Sequence, residues 1–152
     1  MVLLAILRTL APAAATPHQP FAMYAGSWSG AGTISTTSGT NERIRCRASY
    51  EVAPSGLDLH QNLRCASDTY RFDVSSDVVY LDGGVSGTWS ETSRRVTGRV
   101  SGTIEGTTLR VNVDGPGFTA ALALVTRGNT QVVSIRPQGG DVVSIAIQLS
   151  RS

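Results

Sequence analysis

Arg43, Arg45 and Arg47 occupy every second position of one short segment, and Arg64 follows in the next. Alternate residues of a strand share a face, so a row of guanidinium forks could hold a phosphate or carboxylate. The plainer account is a solvated outer face in a chain that has no Lys and uses Arg for all 13 of its cations, with outward Glu42 and Glu51, and Asp58 across the hairpin, to neutralise it. The solvated face is the expectation, and an anion patch of Arg43, Arg45, Arg47 and Arg64 stands as its alternative. Nucleic acid needs such a row with aromatic platforms, and this face has none. His60 lies beside Asp58 and Asn62 on a polar face, and no serine sits in a G-x-S-x-G elbow. The two His and 11 acidic residues form no H-E-x-x-H, and the two Cys form no C-x-x-C. No catalytic residue, metal or cofactor is therefore expected.

Cys46 and Cys65 lie in two alternating segments, Asn41–Val52 and Leu57–Ser67, separated by the turn signal Ala53-Pro54-Ser55-Gly56. A two-residue loop at Ser55-Gly56 sets Val52 opposite Leu59, Tyr50 opposite Gln61, Ala48 opposite Leu63, and Cys46 opposite Cys65. Opposed residues on antiparallel strands have Cα atoms about 4.5 to 5.5 Å apart, within disulfide reach. A disulfide is predicted, contributing on the order of 3 kcal/mol by restricting the unfolded chain. Two free buried thiols are the alternative.

The elements that position these residues are strands throughout. From Gly26 onward short alternating runs are broken by turn residues, with no 3.6-residue period. The runs are Ser27–Thr36, Glu42–Val52, Leu57–Ala66, Tyr70–Ser75, Val78–Leu81, Val85–Glu91, Val96–Glu105, Thr108–Val113, Phe118–Thr126, Gln131–Arg136 and Val142–Ser150. The connections are hairpin-length, too short for crossover helices, so pairing is antiparallel. An all-β up-and-down meander of about 8 to 11 strands removes its edges best by closing into a barrel. A two-sheet sandwich is the runner-up. Within Val96–Glu105 the inward set is Val96, Gly98, Val100, Gly102 and Ile104, and its two glycines signal strong curvature or close backbone approach. Phe118–Thr126 and Val142–Leu149 are apolar on both faces. Their outer side is therefore a candidate surface for dimerisation or for a partner.

Composition narrows the classes further. The chain of 152 residues has 16 Gly, 17 Ser and 16 Thr, only 16% charged residues and a net charge of +2. That balance excludes a charged disordered chain and gives no electrostatic case for nucleic acid. Met1–Ala15, apolar and ending in small residues, reads as a signal peptide, although Arg8 interrupts it and a positive n-region is missing. A buried N-terminal helix is the other reading. Residues 16–25 read as a flexible N-terminal segment, and residues 26–152 as a single β-barrel domain. No stretch approaches the roughly 18 apolar residues of a membrane-spanning helix. An outer-membrane barrel is disfavoured because the outer faces carry Arg and Asp and aromatics are scarce. Export and a disulfide agree on an oxidising compartment, periplasmic or extracellular.

Gly26-Ser27-Trp28, at the start of the first strand, resembles the opening of lipocalin and related calycin barrels. The resemblance implies that Trp28 closes one barrel end and that an Arg near the C-terminus, Arg151 or else Arg127, packs across it. The second lipocalin block is missing, since Asp68-Thr69-Tyr70 matches in composition only. Such G-x-W strings also open avidin-type barrels, and Gly87-Thr88-Trp89 is a second copy. More widely, GSWSG, RIRCRASY and NLRCASDTYRFDVSS resemble small uncharacterised exported proteins of alphaproteobacteria. That likeness implies export and one disulfide-stapled domain, and no reaction. The expected function is a non-enzymatic exported barrel binding a small apolar or amphipathic ligand. The alternative is a periplasmic protein-interaction module, such as a protease inhibitor or an envelope factor. Small barrels opening on a G-x-W strand also occur among bacterial metalloprotease inhibitors.

Overall fold

The computed structural model describes residues 18–152. The leader read at Met1–Ala15 lies outside the described residues, as do Thr16 and Pro17. The strands are β1 (Gly26–Thr36), β2 (Asn41–Val52), β3 (Asp58–Ala66), β4 (Arg71–Leu81) and β5 (Gly84–Glu91), then β6 (Val96–Glu105), β7 (Thr108–Gly115), β8 (Phe118–Arg127), β9 (Thr130–Gln138) and β10 (Val142–Arg151). Each pairs antiparallel with the next, and β1 closes on β10, giving a ten-stranded barrel and not a sandwich. Closure leaves every strand with two partners, so no edge is exposed. The only helix among the described residues is a single 3-10 turn, Ala22–Tyr24.

Short turns set the register. Leu81 faces Gly84 across Asp82-Gly83, both of which have positive φ, 49° and 84°, as a type I′ hairpin turn requires. The eleven alternating runs form ten strands, because Tyr70–Ser75 and Val78–Leu81 are parts of one strand, β4. Ser75-Ser76-Asp77 looks like a break in sequence, but each polar group there has a partner. Asn62 Nδ2 donates to Ser75 Oγ at 3.0 Å, Ser76 Oγ donates to Gln61 at 2.8 Å, and Asp77 meets His60 Nδ1 at 2.7 Å.

Alternation sorts the faces. The core comprises inward residues such as Trp28, Ile34, Ile44, Tyr50, Ile147 and Leu149, all nearly inaccessible. In β6, Gly98 and Gly102 point inward where the neighbouring strand coils against them. A Cβ on Gly102 would lie 2.0 Å from the Arg110 carbonyl oxygen of β7, which only glycine permits. In β10 the simple alternation fails at its start. The register between β1 and β10 slips between Ser35 and Thr36, where Thr36 pairs with Val142. Such an extra residue is a β-bulge, and it re-aims side chains. Val142 therefore borders the interior, and Val143 is half exposed outside.

Within the segment expected to be flexible, Phe21–Tyr24 is folded onto the barrel. Phe21 and Tyr24 are fully buried, Phe21 N–H donates to Gly56 O at 3.2 Å, and Trp28 Nε1 donates to Tyr24 O at 2.9 Å. This turn plugs the end where β1 begins and β10 finishes. Burial of two aromatic rings is the physical reason it holds its place.

Candidate functional site

The interior is hollow on one side. A cavity of about 480 Å³ is lined mainly by β3 to β9, within the range of small-molecule sites. Its walls are apolar: Leu63, Val74, Val100, Val111, Leu122 and Ile135 are among them. The inward residues Phe72, Val74, Val113 and Leu122 keep part of their surface accessible, and alternation turns that surface to the cavity, not to the outside. Towards the plugged end the cavity reaches Tyr50, Leu59 and Val78.

At this end Tyr50 heads a chain of three polar groups, the other two buried outside the cavity lining. The Tyr50 hydroxyl donates to Gln131 Oε1 at 2.7 Å, and Gln131 Nε2 donates to Thr126 Oγ1 at 2.9 Å. Burial pushes the Tyr50 phenol well above its usual range, the neighbouring Tyr24 adds to this, and the Gln131 bond partly offsets it. Burial likewise raises the Tyr24 phenol to about 12. Beside them Gln61 and Ser76 face the cavity from β3 and β4.

The opposite end is the mouth, where Phe118 and the 139–141 turn border the opening with Glu91, Arg94 and Asp141. Glu91 is buried, which by itself would raise its carboxyl. Hydrogen bonds from the backbone N–H groups of Asp73, at 3.0 Å, and Arg94, at 2.6 Å, with further ones from Ser93, hold it below the usual range. Arg94 Nη1 lies 3.6 Å from Glu91 Oε1 and donates to Arg71 O at 3.2 Å. The Tyr70 hydroxyl donates to Asp141 Oδ2 at 2.7 Å, and that bond raises the Tyr70 phenol. The cavity is therefore an apolar sleeve with a charged rim and a neutral polar floor. Such a chamber can bind and orient an elongated apolar molecule. Its lining contains no imidazole and no thiol.

The structure distributes the residues singled out in sequence as follows. Cys46 and Cys65 face each other with Cα atoms 4.2 Å apart and form the disulfide, inside the barrel wall. The hairpin register is the one expected from the Ser55-Gly56 loop, down to Tyr50 opposite Gln61 and Val52 opposite Leu59. Trp28 pairs with Arg151, whose guanidinium carbon sits 4.3 Å from the indole centroid. Arg151 also donates to Met23 O at 2.8 Å, to Ala25 O and to Asn129 Oδ1 at 3.2 Å. It thereby ties the N-terminal plug to the last strand, while Arg127 is exposed elsewhere. The barrel has ten strands, whereas lipocalins have eight. The shared feature is the closure of one end.

Arg43, Arg45, Arg47 and Arg64 all lie on the outer face and do not meet the cavity. Arg47 stands directly opposite Arg64, and Arg64 Nε pairs with Asp73 Oδ2 at 3.1 Å. The expected neutralisers do not reach the row. Glu42 is on the inward phase of β2 and accepts from Thr69 N–H at 2.9 Å, while Glu51 stands opposite His60. His60 is exposed and contacts Asp77. Among the described residues no group of three or more His, Cys, Asp or Glu could hold a metal ion. No described helix is long and apolar enough to cross a membrane.

Sequence reasoning missed Gln61, Ser76 and Glu91. The signal was present in β3, where a polar residue occupies the apolar phase between Leu59 and Leu63. Neither a protein-family model nor a curated protein matches the chain. Among solved structures, the crystal structure of Rv2717c from M. tuberculosis is similar, with a TM-score of 0.69 and 15% identity, covering 88% of this chain and 96% of that chain. That likeness shows the fold.

Proposed function

We propose that this is an exported, non-enzymatic β-barrel that binds a small apolar or amphipathic ligand inside its cavity. The observation that carries the reading is the apolar chamber of about 480 Å³, open at the end opposite the plug. A barrel whose only role is to present an outer surface gains from a packed interior, since an empty one forfeits dispersion contacts. The hollow interior therefore favours a ligand over the interaction module and over dimerisation through the C-terminal strands. The lining offers no activated nucleophile, which supports a binding role over a catalytic one. The Cys46–Cys65 disulfide supports an oxidising compartment, as does the resemblance to exported proteins.

The test is direct titration with a fluorescent fatty acid at micromolar protein. A saturable rise in emission, reversed by an unlabelled apolar competitor, is expected. Absence of a displaceable signal across a set of apolar probes overturns the reading. Export is tested separately by fractionating cells that express the full chain, with recovery in the cytosolic fraction as the contrary result.

A further inference from the structure

On the floor of this apolar chamber one side chain keeps donors in reserve; the other lining carboxamide, Gln138, is exposed at the mouth end of β9. Gln61 projects from the inward face of β3 between Leu59 and Leu63 and borders the cavity beside Tyr50 and Ser76. Its Oε1 is occupied, because Ser76 Oγ donates to it at 2.8 Å. Its Nε2 donates to no group among the described residues. The Tyr50 hydroxyl proton is committed to Gln131 at 2.7 Å, and the unpartnered Tyr24 hydroxyl is buried and not part of the lining. The free donors that face the cavity on this floor are therefore the two carboxamide N–H groups. The charged lining groups all stand at the mouth, Glu91 at the end of β5, Arg94 in the turn after it and Asp141 in the turn between β9 and β10. The floor therefore offers hydrogen-bond donors without a countercharge.

We infer that the Gln61 carboxamide anchors the leading end of the ligand, and that this end carries an uncharged hydrogen-bond acceptor such as a ketone, aldehyde or ester oxygen. The inference rests on the ligand-binding reading and specifies its chemistry. An apolar molecule without an acceptor displaces water from Gln61 and leaves its N–H groups unpaired, a cost that an acceptor removes. A carboxylate at the same depth loses its hydration with no cation to replace it. Sites built around such donors discriminate by penalising the analogue that lacks the acceptor. The hydrocarbon body then runs along Leu63, Val74 and Leu122 towards the mouth.

The experiment compares two near-isosteres, 2-acetylnaphthalene and 2-ethylnaphthalene, by displacement of N-phenyl-1-naphthylamine from the wild type and from Gln61→Leu. The preference for the ketone should fall about tenfold in Gln61→Leu, the worth of one hydrogen bond, while 2-ethylnaphthalene binds as well or better. An unchanged preference overturns the anchor and leaves the cavity reading standing. Failure of both compounds to bind the wild type overturns both. Infrared spectroscopy gives a measurement that needs no variant. The carbonyl stretch of 2-acetylnaphthalene bound to the wild type should lie below its value in hexane, and a stretch at the hexane value overturns the assignment.

Discussion

Gly102 has no side chain to lose, yet the barrel depends on it. A Cβ there would meet the Arg110 carbonyl oxygen at 2.0 Å, and backbone cannot step aside as the end of a long side chain can. Gly102→Ala should destabilise by about 1 to 3 kcal/mol, the range of overpacked core positions. The exposed neighbour Ser101→Ala should change stability by less than about 0.5 kcal/mol. Urea midpoints of the two variants against wild type give the comparison, and equal midpoints would refute the close approach. This position was legible in sequence, because two glycines on the inward face of one strand remove side chains where a core needs them, and close backbone approach is what rewards that loss. Gln61 was not. The apolar phase of β3 remained convincing through Leu59, Leu63 and Cys65, and one polar residue in such a phase is decided by what stands across the interior, which no local pattern contains. Glu91 was hidden for a similar reason, since the N–H groups that hold its carboxylate come from Asp73, on β4, and from the turn after β5.

The plug is the element whose role differs most from its sequence appearance. Residues 16–25 read as a flexible segment, whereas Phe21 and Tyr24 are fully buried against the barrel end. The turn's partners, Tyr50 and Trp28 against Tyr24 and Arg151 on the Met23 carbonyl, lie in β2, β1 and β10, so only closure of the barrel creates the surface on which the turn docks. Docking has a consequence at alkaline pH. Burial raises the Tyr24 phenol to about 12 from an ordinary value of 10.0. The folded chain therefore keeps the proton while the unfolded chain loses it. Stability is fully present below about pH 10 and falls as pH climbs from there through about 12, by up to about 1.4 kcal/mol per pH unit for this one group. Tyr24→Phe should flatten that fall. Urea midpoints at about pH 9 and pH 11 measure it, and identical pH dependence in the variant and wild type would show that the plug does not shield the phenol. The strand elements were better marked. The hairpin around Cys46 and Cys65 has a short-range turn signal and appears at the expected register, and the glycines after Leu81 mark the turn that Asp82-Gly83 forms. The bulge at Val143 did not announce itself, because it arises from the fit of β10 to β1.

For the whole molecule, a meander with hairpin-length turns has few ways to hide its edges, and closure was the expectation, with a two-sheet sandwich as runner-up. Whether the closed interior is filled is a different question, because the same Val, Leu and Ile supply can pack a narrow barrel or line a wide one. Ten strands give the wide case here, with the core gathered against β1, β2 and β10 and the void beneath β3 to β9. Binding and stability are then coupled in opposite directions through the same volume. Leu122 faces the void with part of its side chain uncovered, so Leu122→Trp should extend into free space. Cavity-filling changes of this kind stabilise by about 0.5 to 2 kcal/mol, and the melting temperature should hold or rise. Ligand present at about 100 times its Kd stabilises the wild type by about 2.7 kcal/mol, and this increment should disappear in the variant. Calorimetric scans of both proteins with and without a saturating apolar probe separate the outcomes. A variant that melts no lower than wild type yet gains nothing from the probe places the ligand in the chamber. A variant stabilised by the probe as much as wild type places it on the outside of the barrel.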